Sequence, residues 1–174
     1  MQDFEIQSVS AEQLGAQMWA FVALLQDSVD SGASVGFLPP LDGHAAVQYW
    51  NELIYDLQDG AVVLLAVYDG DILLGSVQLT PARQANGRHR AEVNKLMVHT
   101  TARRLGLGKM LMAAVEETAR ELGRTLLVLD TRKGDVSEAL YRGLGYEAAG
   151  EVPGYARSAS GELHTTVMFY KNLR

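Results

Sequence analysis

Hydrophobic and polar positions follow a changing period along the first third of the chain. Residues 4–9 (FEIQSV) alternate between apolar and polar, which predicts a strand. Ser10 and Gln13 form a capping-box pattern, and a helix from about residue 11 to 30 follows. The segment 30–43 is rich in Gly, Ser and Pro and predicts a loop, after which a second helix spans about 44–58.

The rest of the chain alternates between strands and helices. Two apolar runs within 61–80 surround Asp69-Gly70, which is a typical hairpin turn. Three further strands are predicted at 91–98, 125–131 and 163–173, and the second of them is continuously apolar, which is typical of a strand buried on both faces. Helices are predicted from Leu107 to about Leu122, where Gly123 ends the repeat, and at 135–145. This order predicts an α/β fold in which helices cover a mixed sheet.

Composition excludes several classes of protein. The 174 residues predict a single domain over 1–174, and the net charge of −6 argues against general nucleic-acid binding. The chain has no cysteine, so thiolate nucleophiles and cysteine metal sites are excluded, and its four histidines lack ligand spacing, so no metal is expected. No apolar run approaches the roughly 18 residues of a membrane span. With no signal peptide in view, we expect a cytoplasmic protein without a membrane partner.

The segment 103–109 (RRLGLGK) places two glycines and three cations between a strand and a helix. Free amides and the helix dipole make the start of a helix favourable for anions, and glycine lets an anion approach the backbone. The segment therefore predicts a phosphate or pyrophosphate site. It fits neither a P-loop, because Met110 replaces the Ser or Thr, nor a dinucleotide fingerprint, because Leu111 replaces the third glycine. The alternative is an ordinary helix start with solvated arginines.

Two motifs in this order resemble the GNAT superfamily of N-acetyltransferases. The first is R-x-x-G-x-G directly after a strand, which is similar to the family's acetyl-CoA-binding motif. The second is similar to the family pattern A-x-L-Y-x-x-x-G-[FY], matched by Ala139, Leu140, Tyr141, Gly145 and Tyr146. The stretches at 32–42, 91–98, 102–112 and 161–171 further resemble the tabtoxin-resistance type, which acetylates a toxic β-lactam amino acid. The resemblance implies a mostly antiparallel sheet flanked by about four helices.

The resemblance implies acetyl-CoA as cofactor, held in two places. The backbone of the corner would bind the pyrophosphate, and the strand before it would pair with the pantetheine arm. The implied cofactor-binding residues are Leu96, Met97, Val98, Arg103, Arg104, Leu105, Gly106, Leu107, Gly108, Lys109 and Ser137. Arg103 or Arg104 could also meet the 3′-phosphate, within a basic patch that includes Arg88 and Arg90. Where many relatives have an asparagine, this chain has Gly134, and Ser137 or Asp135 could substitute.

Three side chains are candidates for the chemistry. Tyr141 matches the tyrosine with which the family often protonates the departing thiolate, although it could also be a core aromatic. Asp130 and Glu92 are candidate bases for the amine, and either could hold a cationic substrate. The alternatives are a cap or turn role for Asp130 and a rim salt bridge for Glu92. Without cysteine, direct attack of the amine in a ternary complex is expected. A strand bulge at 95–97 would offer an amide to the thioester carbonyl.

The acceptor site is expected beside Phe37 and Tyr155, with Glu92 and Asp130 as an acidic floor. That combination predicts a small-molecule amine as substrate, such as an amino acid or an amino-bearing toxin. The loop 35–41 could instead only buttress the core. The alternatives for function are a protein or peptide N-acetyltransferase and a non-catalytic acyl-CoA sensor. A homodimer is expected because many related proteins form one.

Overall fold

The structure is a computed structural model that describes residues 3–173. It contains seven strands and five α-helices in one chain. The strands are β1 (Phe4–Val9), β2 (Val63–Asp69), β3 (Ile72–Pro81), β4 (Arg90–Val98), β5 (Leu126–Arg132), β6 (Glu147–Arg157) and β7 (Leu163–Asn172). The helices are α1 (Ala11–Ala16), α2 (Met18–Asp30), α3 (Gly43–Gln58), α4 (Leu107–Glu121) and α5 (Val136–Gly143).

All seven strands form one sheet in the order β1-β2-β3-β4-β5-β7-β6. Neighbouring strands are antiparallel except β4 and β5, which run parallel. The prediction of an α/β fold with a mixed, mostly antiparallel sheet is therefore confirmed.

Helices cover both faces of the sheet, and each face has its own apolar core. Helix α4 packs an apolar stripe with i, i+4 spacing against one face of the sheet. The residues of this stripe, Leu107, Leu111, Val115 and Ala119, are all buried. On the other face, α1, α2 and α3 enclose Phe21 and Trp50, whose rings meet edge to face at 5.1 Å. Strands β2 and β3 are buried almost continuously because helices cover both of their faces.

Two sequence predictions differ from the structure, and the structure decides one point that the sequence left open. The predicted helix over 11–30 is two helices, because the chain turns at Gln17, whose side-chain oxygen accepts a hydrogen bond from Tyr68 at 2.8 Å. Strand β5 is not fully buried on both faces: Leu127 and Leu129 are buried, but Leu126, Val128 and Asp130, which alternate with them on the other face, are only partly buried. The sequence left open whether a strand precedes the last one, and β6 fills that place at the sheet edge.

The parallel pairing of β4 and β5 is short, and this creates the main cleft. Only residues 90–92 of β4 pair with residues 126–128 of β5, after which the two strands separate. Backbone groups of both strands beyond that point have no partner in the other strand. The gap opens toward the carboxyl ends of both strands, where an α/β sheet usually holds its ligand.

Candidate active site

The gap between β4 and β5 continues into a cleft of about 1210 Å³. Its walls are the loop after α2, the corner before α4, the start of α5 and part of β6. All the candidate site residues named from the sequence line this cleft except Leu105, which is adjacent to it and 46% exposed. One cleft therefore brings together the corner, the strand and the three candidate chemical groups.

Strand β4 contains a bulge at the position that the resemblance implied. Ser76 pairs with Met97, but Gln78 pairs with Asn94, so β4 holds one extra residue between these pairs. Lys95 carries the distortion, with φ at 53°. In a regular strand, Val93 and Met97 would lie on the same face of the sheet. Because of the extra residue they lie on opposite faces: Val93 packs in the α4 core, and Met97 packs in the core under α2 and α3. Such a bulge leaves backbone groups unpaired at the edge of the cleft.

The corner before α4 has the backbone of an anion site. Gly106 is its N-cap with φ at 82°, and Arg104 also has a positive φ of 66°. The first hydrogen bond of the helix runs from the amide of Met110 to the carbonyl of Gly106, so the amides of residues 107–109 precede it. A Cβ at Gly108 would lie 3.4 Å from Leu140, so α5 packs closely against this turn.

The side chain of Arg103 lines the cleft and forms two hydrogen bonds within the protein. Its Nε donates to the carbonyl of Val98 at 3.2 Å, and its Nη2 donates to the hydroxyl of Ser31 at 2.6 Å. The guanidinium thus ties the corner to the end of α2. Arg88 and Arg90 do not line the cleft, because they begin β4 at the end opposite the corner. The cations at the cleft instead include Arg104 and Lys109.

The two candidate bases differ in their surroundings. Asp130 lies within β5, two residues before its end, and its Oδ2 accepts a hydrogen bond from Thr166 at 2.7 Å. The Thr166 hydroxyl is also 2.8 Å from the carbonyl of Thr131, so one proton serves two acceptors. Glu92 is exposed and, within residues 3–173, has no cation within 4 Å. Asp130 is therefore not a helix cap, and Glu92 forms no rim salt bridge.

Tyr141 is both a core aromatic and a cleft residue. Its ring lies 5.9 Å from that of Tyr146 and 6.0 Å from that of Phe169, and the residue is only 6% exposed. Burial, together with the negative charge of Asp130, raises the pKa of Tyr141 to about 12. The phenol therefore keeps its proton throughout the physiological pH range.

At the start of α5, Ser137 and Asp135 have different partners. The Ser137 hydroxyl lies 2.6 Å from that of Thr131, at the cleft. The carboxylate of Asp135 instead accepts a 2.8 Å hydrogen bond from Arg132. Arg132 also donates to the carbonyl of Gly32 at 3.2 Å, so it joins the end of β5 to the loop after α2. Of the two possible substitutes for the missing asparagine, Asp135 is held in an ion pair with Arg132, whereas Ser137 contacts only a neutral hydroxyl.

Phe37 and Lys95 line the cleft and both contact Tyr49 of α3, which the sequence did not single out. Phe37 packs edge to face on Tyr49 at 5.4 Å, and the Tyr49 hydroxyl exchanges hydrogen bonds with Gln78. Lys95 extends over the Tyr49 ring, with Nζ 5.7 Å from its centroid. Burial lowers the pKa of Lys95, while the charges of Asp130 and Glu92 act in the opposite direction. No periodicity marks Lys95, because its placement depends on the bulge.

The described residues contain neither a metal-binding group nor a membrane-spanning helix. In the part of the chain that the structure describes, no three His, Cys, Asp or Glu side chains are grouped to bind a metal ion. None of the helices within residues 3–173 is both long and apolar enough to span a bilayer.

The splayed parallel strands, the bulge and the cationic corner define an acyltransferase-type site. The family described as "Acetyltransferase (GNAT) family" matches residues 33–146, and the chain belongs to that family. This membership confirms the predicted superfamily and supports the predictions of an N-acetyltransferase that uses acetyl-CoA.

Relatives agree with this assignment. A protein of Azospirillum brasilense described as an uncharacterized N-acetyltransferase is 32% identical over 109 residues, covering 62% of this chain and 63% of that protein. The chain thus matches less than two thirds of that relative's length.

Solved structures share the fold. A ribosomal-protein-alanine N-acetyltransferase from Brucella melitensis has a TM-score of 0.80 and 23% identity, covering 97% of this chain and 99% of its own. The acetyltransferase structure named yncA from Salmonella typhimurium, which contains acetyl-CoA, has a TM-score of 0.79 and 16% identity, covering 99% and 95%. A structure described as a phosphinothricin N-acetyltransferase has a TM-score of 0.78 and 16% identity, covering 99% of both chains.

Proposed function

We propose that the protein transfers an acetyl group from acetyl-CoA to the primary amine of a small molecule, by direct attack in a ternary complex. One observation carries this proposal: a single cleft joins a helix-start anion site, an unpaired strand edge and the pair formed by Tyr141 and Asp130. A binding site alone would not need a buried phenol beside a carboxylate.

The described residues fit acetyl-CoA at its two distinctive parts. The amides of residues 107–109, with the cations Arg104 and Lys109, fit the pyrophosphate. The unpaired edge of β4 over Leu96–Val98 fits the amides of the pantetheine arm, in the manner of an added strand. Ser137 stands where its hydroxyl could reach that arm. Bound in this way, acetyl-CoA supplies the acetyl group as a thioester.

The chain's own residues handle the protons. Asp130, oriented by Thr166, is our candidate to take the proton of the amine, directly or through water. Glu92 is the second candidate and can also hold the ammonium form of the acceptor. Tyr141 keeps its proton until the thiolate leaves, because its pKa of about 12 prevents earlier loss. The amide exposed by the bulge at 95–97 faces the developing negative charge on the carbonyl oxygen.

The acceptor is proposed to be small because, among the described residues, the cleft lining holds only the carboxylates Glu92, Asp130 and Asp135, which are too few for a long acidic groove. Phe37 and Tyr155 supply apolar surface, and Glu92 and Asp130 supply the acidic floor. The fold itself does not choose the acceptor, since the similar structures carry names for both a ribosomal-protein substrate and phosphinothricin. The resemblance to the tabtoxin-resistance type favours an amino acid or amino-bearing toxin, and hence a role in toxin resistance.

Two further predictions belong to the same proposal. A homodimer is expected, and the exposed edge strand β6 is one surface that could form it. A cytoplasmic location is also expected, since acetyl-CoA is a metabolite of that compartment. Sedimentation of the purified protein tests the first, and fractionation of cells tests the second.

The proposal is tested by release of free thiol from acetyl-CoA with a panel of acceptors. The panel contains amino acids, a tabtoxin-like β-lactam amino acid, aminoglycosides and basic peptides. Turnover with a small amine supports the proposal, and turnover with peptides alone favours a protein N-acetyltransferase. Tight binding of acetyl-CoA without thiol release from any acceptor favours the sensor.

A further inference from the structure

Lys95 places a cation in the cleft that also holds the two candidate bases, Asp130 and Glu92. Its ammonium extends over Tyr49, and its Nζ is 3.4 Å from the position that a Cβ on Gly36 would take. The loop after α2 and helix α3 thus enclose it from one side. Within residues 3–173, this ammonium has no hydrogen bond and no carboxylate within 4 Å.

The position of Lys95 is set by backbone strain. A lysine with φ at 53° occupies a conformation that residues other than glycine rarely adopt. The bulge turns Lys95 toward the same side of the sheet as Met97, which is where α3 and the loop lie. A cation held in place in this way, half-buried and without a partner, is expected to bind an anionic group that arrives with a ligand.

We propose that Lys95 binds an acidic group of the acceptor, so that the preferred substrate carries a carboxylate or similar oxyanion beside its reactive amine. This inference rests on the proposed function and narrows its substrate class to zwitterions. All three side chains line the same cleft, where Asp130 and Glu92 would attract the ammonium of such a molecule and Lys95 would attract its anion. A polycation such as an aminoglycoside or a basic peptide meets the same lysine as a repulsive charge.

The local charges support this division. Burial lowers the pKa of Lys95, and an incoming carboxylate would favour its charged form in return. The Tyr49 ring stabilises the ammonium by a cation–π contact and leaves its N–H groups available. Lysine is suited to this task because its ammonium carries three donors on a flexible stem.

The experiment compares L-α-amino acids with their amides as acceptors, measuring kcat and KM by thiol release. The amides have more of their amine in the neutral, nucleophilic form, so unassisted chemistry favours them. We expect wild type to prefer the acids, and we expect Lys95→Gln to lose roughly tenfold to hundredfold in kcat/KM for acids alone, through KM. Lys95→Arg keeps the charge and should retain the preference. Lys133→Gln, whose lysine pairs with Glu151 outside the cleft, should behave as wild type.

Binding of the same compounds, followed by calorimetry with CoA present, separates this inference from the proposed function. If acids bind better than amides but no thiol is released, the proposed function fails and the role of Lys95 stands. If turnover occurs without a preference for acids in KM or in Kd, the role of Lys95 is overturned. It is also overturned if Lys95→Gln lowers kcat equally for acids and amides while Lys95→Arg fails to restore it, since that pattern indicates a base.

Discussion

Replacing Tyr141 by phenylalanine removes one oxygen atom from the cleft and nothing from the core. The contacts of its ring with Tyr146 and Phe169 involve carbon atoms, which phenylalanine keeps. In the described part of the chain, the Tyr141 hydroxyl has no hydrogen-bond partner that would be orphaned. We therefore expect the free energy of unfolding to change by no more than about 0.5 kcal/mol.

The effect on catalysis should be much larger. A positioned general acid contributes about 100- to 10,000-fold, so kcat should fall by that factor, or about 3 to 5 kcal/mol of activation free energy. The KM for acetyl-CoA should stay near its wild-type value, because the corner and β4 are untouched. Thiol release at saturating concentrations of both substrates measures kcat, and urea unfolding measures stability.

Tyr146→Phe is the matched control. It removes the same atom from the neighbouring ring, which lies outside the cleft with the half-buried ammonium of Lys171 5.3 Å from its centroid. This variant should keep wild-type kcat. A folded Tyr141→Phe enzyme with kcat within about threefold of wild type, a difference of less than 1 kcal/mol, would refute the assignment of Tyr141 as the acid.

The remaining predictions concern pH, the bulge and Asp130. Because the pKa of Tyr141 is raised to about 12, the phenol stays protonated as pH rises through 10, and wild-type kcat should not fall there through loss of this proton. A fall in kcat near pH 10 that is present in wild type and absent in Tyr141→Phe would contradict the raised pKa. In Gly75→Ala, the new Cβ would lie 2.6 Å from the carbonyl oxygen of Met97. We therefore expect the free energy of unfolding, measured with urea, to fall by about 1–3 kcal/mol and the KM for acetyl-CoA to rise. Gly15→Ala is the control and should not destabilise the protein, because its Cβ would meet its nearest neighbour at 3.9 Å. Thr166→Val should lower kcat about threefold to thirtyfold by releasing the carboxylate of Asp130, and Thr166→Ser should restore it; equal kcat in both variants would exclude the orienting role.

The sequence was sufficient to predict elements whose signal is local. Alternation, capping residues and glycines at helix ends indicate most strands and helices near their observed bounds. The corner at 103–109 is indicated by its glycines and cations. The break at Gln17 was missed because no proline or strong glycine signal accompanies it. It depends instead on a hydrogen bond from Tyr68, 51 residues away.

The candidate site was predictable only where a motif carries it. Tyr141 and the corner follow from motifs, and Asp130 from its place near the end of an apolar strand. The roles of Arg103, Arg132 and Thr166 depend on which distant backbone or side-chain atom each one meets, which no pattern encodes. Lys95 depends on a bulge, and a one-residue change of register leaves almost no trace in hydrophobic periodicity.

The extra residue of the β4 bulge also divides this strand into two segments that tolerate amino-acid changes differently. Before it, substitutions at positions such as Glu92 can alter acceptor chemistry while the strand keeps its pairing with β3. Removing Lys95 altogether would be a different kind of change, since a strand without the bulge turns Met97 and Val98 onto each other's face. The core under α2 would lose a methionine and the α4 core would lose a valine at once. Efforts to redirect the enzyme to new amines should therefore vary the identity of residue 95 and preserve the length of the strand.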